Sequence, residues 1–244
     1  EIGGLIGQNG FKVNKSYSTV IVAGIFSVGG LIGFNWYGTV DQCYSLGSVL
    51  GDKFYIGGLV GYNWISDITN SYSGSSVVGD CIVGGLVGYH RATDFPGLDP
   101  TIDIQSTIEN CYSIGSVNGE SYIGGLIGYL EDIDYTIGTV TNSYWNIETS
   151  QLTISEGGEG KTTEQMKQYE TFTDWDFSSI WAIIEGQTYP YFRWQEIMII
   201  VPNFVGLDRV TAEAILTATG LYGVFTEKCD NNIPATLVIT QEPS

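Results

Sequence analysis

The chain has 244 residues, enough for one or two domains with a substantial core. Its 33 glycines and 16 tyrosines, against only 15% charged residues, favour strands and turns over helices. Asp and Glu outnumber Lys and Arg by 27 to 9, a formal charge of −18 with no basic stripe, which excludes nucleic acid and disfavours an anionic membrane surface.

No apolar run approaches the ~20 residues needed to cross a bilayer, so membrane insertion is not expected. The opening Glu1-Ile2-Gly3-Gly4 falls inside a repeat, without an initiator Met or a signal-like start, and reads as a mature or trimmed piece of a longer protein. The four cysteines include no Cys-x-x-Cys, which argues against a zinc or thioredoxin-like site.

In chain order, Gly-Gly-Leu-(Ile/Val)-Gly begins at Gly3, Gly29, Gly57, Gly84 and Gly124, at spacings of 26, 28, 27 and 40 residues. A second motif alternates with it: Asn14-Lys-Ser-Tyr-Ser18, Asp41-Gln-Cys-Tyr-Ser45, Thr69-Asn-Ser-Tyr-Ser73, Glu109-Asn-Cys-Tyr-Ser113 and Thr141-Asn-Ser-Tyr-Trp145. Its Tyr falls 12 or 13 residues before the next Gly-Gly. A unit of this length, with about three short strands between Gly- and Asn-containing turns, suits one coil of a parallel β-helix. Equivalent strands would then stack at ~4.8 Å. A leucine-rich repeat would need a longer Leu/Asn frame, and a propeller blade ~40–45 residues.

That register predicts columns. Leu5, Leu31, Leu59, Leu86 and Leu126 should form a buried stack, and Tyr17, Tyr44, Tyr72, Tyr112 and Tyr144 a second ladder. Asn9, Asn35 and Asn63 align at a turn, with His90, the only histidine, taking the fourth place as a ladder member rather than a metal ligand or base. Cys43 and Cys111 replace Ser16, Ser71 and Ser143 and sit two coils apart, beyond disulfide reach. Cys81 and Cys229 have no assignable partner.

The long fourth unit carries an insertion, Arg91-Ala-Thr-Asp-Phe-Pro-Gly-Leu-Asp-Pro-Thr-Ile-Asp103, whose Pro and Gly content reads as loop. No cofactor is expected. Asp94, Asp99 and Asp103 leave calcium open, as does Glu131-Asp-Ile-Asp134, although neither an EF-hand nor a nonapeptide calcium repeat is present. After Trp145 the period stops. Thr162-Thr-Glu-Gln165 reads as a capping box opening a short helix to about Tyr169. An aromatic-rich run from Trp175 to Trp194 is then expected to cover the open end of the stack.

These motifs resemble the GLUG-motif repeats of bacterial and archaeal surface proteins, including adhesin-like and haemagglutinin-like molecules. Ser143-Tyr-Trp-Asn-Ile-Glu-Thr149, Lys161-Thr-Thr-Glu-Gln-Met-Lys167 and Tyr189-Pro-Tyr-Phe-Arg-Trp-Gln195 resemble the segment that follows such repeats. From Val201 the style changes. Val201-Pro-Asn-Phe-Val-Gly-Leu207, Ala212-Glu-Ala-Ile-Leu216, Gly220-Leu-Tyr-Gly223 and Ile233-Pro-Ala-Thr-Leu-Val-Ile-Thr-Gln-Glu-Pro243 are similar to a PASTA module lacking its last strand. Asp208 would cap its helix and Gly220 end it, with strands around 224–227 and 236–241. Some modules of this kind engage peptidoglycan and others act as spacers.

The expectation is therefore a mainly β chain. A right-handed parallel β-helix of about five coils spans residues 1–145, an aromatic cap with a short helix 146–199, and a partial, small α+β PASTA-like module 200–244. Its function is read as non-enzymatic: a secreted or cell-surface structural or adhesion protein, acting as stalk, scaffold or filament unit. The alternatives are a carbohydrate-binding module and a β-helical polysaccharide-active enzyme. An enzyme of that kind would need clustered carboxylates or a basic groove, whereas Lys12, Lys15, Lys53 and Arg91 are scattered. Candidate ligand-binding residues are Trp36, Tyr37, Trp64, Tyr89 and His90, the aromatic rings suited to stacking on a cell-wall or surface glycan. Open solenoid and PASTA-like ends would serve a homo-oligomer or head-to-tail assembly.

Overall fold

The computed structural model describes residues 1–92, 106–131, 138–195, 202–218, 223–226, 237–238 and 240–241. The chain divides into two units, Glu1–Phe192 and Arg193–Ser244.

The first unit is a parallel β-solenoid. Each repeat contributes four strands rather than three, because the double glycine breaks one expected strand in two. Ile21–Gly29, Ser48–Gly57 and Ser76–Gly84 stack in a first sheet, and Ile32–Trp36, Val60–Trp64, Val87–Arg91 and Ile127–Glu131 in a second. Thr39–Asp41, Asp67–Thr69 and Ser106–Glu109 stack in a third, and Tyr44–Ser45, Tyr72–Ser73, Tyr112–Ser113 and Tyr144–Asn146 in a fourth. Neighbouring repeats pair in parallel at identical motif positions, as in Val60↔Val87 and Tyr72↔Tyr112. The described strands come to about four turns, where five motif copies suggested five coils.

The motif residues account for the corners. A Cβ on Gly57 would lie 1.9 Å from the Val60 carbonyl oxygen, and one on Gly58 2.1 Å from that of Gly85, so only glycine passes between the first and second sheets. The corner between third and fourth sheets is a single left-handed residue in every repeat: Lys15, Gln42, Asn70, Asn110 and Asn142, with φ of 44–53°. Asn tolerates this conformation better than most residues. The fixed spacing between the two motifs also has a cause. Ser45 Oγ donates to the Gly58 carbonyl and Ser113 Oγ to that of Gly125, each 2.5 Å, tying the Tyr-Ser step to the next Gly-Gly across the interior.

Inside, Leu31, Leu59, Leu86 and Leu126 form a fully buried column beside Ile32, Val60, Val87 and Ile127. Burial of each such side chain contributes roughly 1.5–3 kcal/mol. Leu5 departs from the expected stack: in the first rung it has Leu31 on one side only and is 51% exposed. Cys43 and Cys111 are buried free thiols. Cys43 Sγ donates to the Asp41 carbonyl as Ser71 Oγ does to that of Thr69, so thiol and hydroxyl do the same work in one column.

The aromatic segment lies elsewhere than expected. The end of the stack is covered by Trp145, which occupies the serine position of the earlier repeats, donates Nε1 to the Leu152 carbonyl (3.0 Å) and packs against Gly125. Residues 154–156 bond across the last turn, through Gly125 N to Ile154 O and Glu156 N to Ile127 O. Strand Glu159–Lys161 pairs with Tyr144–Asn146. The remaining rings run down the outside of the fourth sheet. Tyr17, Tyr44, Tyr72 and Tyr112 stack at 4.8–5.0 Å with rings within 3° of parallel. Phe192 reaches Tyr44 and Tyr72, Trp181 reaches Tyr72 and Tyr112, and Phe172 meets Tyr144. The reason is burial: the outward tyrosine column offers a longer apolar strip than the stack's narrow end. Thr162 and Gln165 exchange the two bonds of a capping box, opening a pair of 3-10 turns, Gln165–Lys167 and Tyr169–Thr171, instead of one helix.

In the second unit, helix Arg209–Ala218 is capped by Asp208, which accepts from Thr211 N (3.0 Å) and Thr211 Oγ1 (2.7 Å). Asp208 also forms an isolated antiparallel bridge with Leu237. Residues 223–226 carry no strand among the described residues, and the expected helix end at Gly220 lies outside them.

Candidate ligand-binding face

The second sheet carries the described residues of the candidate site other than Tyr37, which follows strand Ile32–Trp36. Along its strands side chains alternate between interior and exterior, so neighbours in sequence serve opposite purposes.

Asn9, Asn35, Asn63 and His90 point inward as one hydrogen-bonded column. Asn9 Nδ2 donates to Asn35 Oδ1 (2.7 Å) and Asn35 Nδ2 to Asn63 Oδ1 (2.8 Å). Asn63 Nδ2 donates to the Ser66 carbonyl (2.7 Å) and lies 3.0 Å from His90 Nδ1. With that amide nitrogen as donor, Nδ1 of His90 is the acceptor, which assigns the ring proton to Nε2, a buried atom with no hydrogen-bond partner among the described residues. His90 is fully buried, and burial lowers its pKa to about 4 against the weaker opposing pull of the Ser106 and Asn63 backbones and Asp67. It therefore belongs to the interior and not to the exposed face with which the sequence grouped it.

The residues on either side of the ladder point outward. One column is Phe34, Tyr62, Tyr89 and Tyr129, with successive centroids 4.9, 4.8 and 5.7 Å apart. The next is Trp36, Trp64, Arg91 and Glu131, in register across four repeats. Trp36 and Trp64 stack at 6.2 Å, and the Arg91 guanidinium covers the other side of Trp64 at 5.2 Å. Arg91 Nε pairs with Glu131 Oε2 at 3.1 Å, and the Tyr89 hydroxyl donates to the same oxygen at 2.5 Å. Burial, then this bond and the Glu131 charge, raise the Tyr89 pKa; burial also raises that of Tyr62, against its bond to Arg91.

The structure thus brings Trp36, Trp64 and Tyr89 onto one face. Tyr37 joins at its corner, in a left-handed conformation (φ 52°) and edge-on to Trp36 at 5.6 Å. Asp94, Asp99 and Asp103 lie outside the described residues, as do Asp132, Asp134 and Cys229. Sequence reasoning missed Phe34, Tyr62, Tyr129 and the Arg91–Glu131 pair. The available signal was period-two alternation around the ladder, in Gly33-Phe-Asn-Trp36, Gly61-Tyr-Asn-Trp64 and Gly88-Tyr-His-Arg91.

The rings use their faces largely on one another. The side of Trp36 turned from Trp64 is the exception: it falls opposite Gly10, which has no side chain, and Trp36 remains 42% exposed.

Fold and ladders define a solenoid built from structural repeats. Three stretches, residues 24–50, 54–78 and 79–118, match the family model described as the GLUG motif, so these three are GLUG-motif repeats. No curated protein and no solved structure matches the chain.

Proposed function

We propose that the chain is a non-enzymatic structural or adhesion protein of the cell exterior, with the GLUG solenoid as a rigid scaffold. One observation carries this reading: the polar groups most suited to chemistry are either sealed in the interior or paired with one another. His90 is a buried hydrogen-bond acceptor in the asparagine ladder, and Tyr89, Arg91 and Glu131 satisfy one another. The C-terminal unit fits a PASTA-like spacer, with the Asp208-capped helix as its described part. Antibody detection after protease shaving of intact source cells tests the location. Signal lost on shaving is expected, and a protected cytoplasmic pool would overturn the reading.

A second reading, recognition of a surface glycan, is favoured by the open side of Trp36. A pyranose ring stacked there would be flanked by Tyr37. On a glycan array Trp36→Ala should abolish binding while Trp64→Ala, whose ring is covered on both sides, weakens it less. Equal binding by wild type and Trp36→Ala would sink this reading.

A further inference from the structure

We propose that two copies of this chain associate side by side through the outer face of the first sheet. The register places Ala23, Leu50, Val78 and Asn118 in one outward column and Phe26, Phe54, Cys81 and Ser121 in the next. In the earlier turns both columns are mostly apolar and open to solvent. Phe26 is 52% exposed, Val78 43%, Leu50 42% and Phe54 41%; beside the columns, in the first turn only, Ile21 is 74% exposed and Ile25 52%, Ile21 giving way to Ser48 and Ser76 in the following turns. Together they expose on the order of 600 Å² of apolar side chain, at the upper limit for a monomer's patch and near the ~800 Å² each partner gives a standard interface.

In the last turn the same columns end in Asn118 and Ser121. A polar boundary of this kind surrounds the core of an interface.

A second copy is the occupant that fits. Its columns repeat at the same strand spacing, so two such faces can interdigitate along their length as packed sheets do, ~10 Å apart. Between the two columns lie Asp52, Lys53 and Asp80, with Lys53 paired to Asp80 at 3.9 Å, so this part of the face carries one net negative charge in a chain of charge −18. A partner selected by charge would be basic and would bind elsewhere. The contact is driven by apolar burial against a general repulsion between acidic copies, so added salt should tighten it.

Sedimentation velocity of the full chain over a micromolar concentration series tests this. A monomer–dimer equilibrium is expected, shifting toward dimer when NaCl is raised. Val78→Asn and Phe54→Ser together should weaken it by about tenfold or more, since hot-spot side chains dominate such contacts. Both substitutions introduce residues the fold already carries in those columns, Asn118 one turn on from Val78 and Ser121 two turns on from Phe54, and thermal melting verifies that folding is retained. Val78→Asn alone, with a smaller weakening, serves if the pair melts early. A wild-type chain monomeric throughout, a dimer unaffected by the variants, or one dissociated by salt would each overturn the proposal.

Discussion

The Nδ2 amide of Asn63 lies 3.0 Å from Nδ1 of His90, and that contact joins the histidine to a ladder that otherwise consists of asparagines. Protonating Nδ1 would set donor against donor inside a sealed interior. The ladder therefore has a pH limit that its asparagine members lack.

His90 has a pKa of about 4 in the folded chain against 6.5 for a free imidazole. Between these values the unfolded chain binds the extra proton and the folded chain does not, so stability falls as pH drops through this window. The full loss is about 3 kcal/mol, complete below pH 4. Urea unfolding at pH 7, 5.5 and 4 should show it, with His90→Asn, which restores the ladder's own residue, flattening the difference. An unchanged pH profile in that variant would show that His90 is not the source.

Asn35 stands at the centre of the ladder, fully buried, accepting from Asn9 and donating to Asn63. Asn35→Ala leaves both neighbours short of a partner and should cost about 2–4 kcal/mol. The exposed Asn118→Ala should stay within about 0.5 kcal/mol. Urea midpoints for the two variants settle the comparison, and a loss below that of Asn118→Ala would contradict the ladder's role.

Burial pushes the Cys43 thiol up to about 11 and raises Cys111 further. Both should resist alkylation at pH 8 in the folded chain and react on unfolding, as peptide mapping would report. Cys111→Ser should change stability by less than about 1 kcal/mol, because Ser71 and Ser143 occupy the same column with the same bonding. Fast labelling of Cys43 or Cys111 in the folded state would refute this.

The ladders were legible because residues that repeat must superpose: Leu31 over Leu59, Tyr44 over Tyr72, Asn35 over Asn63. What repetition did not reveal was which way a residue faces when its neighbours differ. Tyr89 and His90 are adjacent, yet one joins the ring column on the outer side of the sheet and the other the interior ladder, and only the alternation of the strand separates them. The Arg91–Glu131 pair was hidden by the 40-residue spacing, since the partner lies in the next turn. The aromatic segment has no repeat to align with, so nothing in its composition chose between the end of the stack and its side.

That choice gives the last prediction. Trp145 closes the end of the stack, whereas Trp181 is fully buried against the side, its ring 4.4 Å from Phe192 and 4.6 Å from Trp175 and facing Tyr72 and Tyr112. Each substitution, Trp145→Ser or Trp181→Ala, removes a buried indole and should cost about 3–5 kcal/mol. Their local consequences should differ. Trp145→Ser should speed hydrogen exchange at Gly125–Ile127, whose amides bond to Ile154 and Ser155 above the last turn. Trp181→Ala should leave those amides protected and instead open residues 165–192 to proteolysis, uncovering the tyrosine column. If Trp181→Ala frays the last turn first, the rings act at the end of the solenoid after all; if it releases only the segment, the side of the fourth sheet is where they hold.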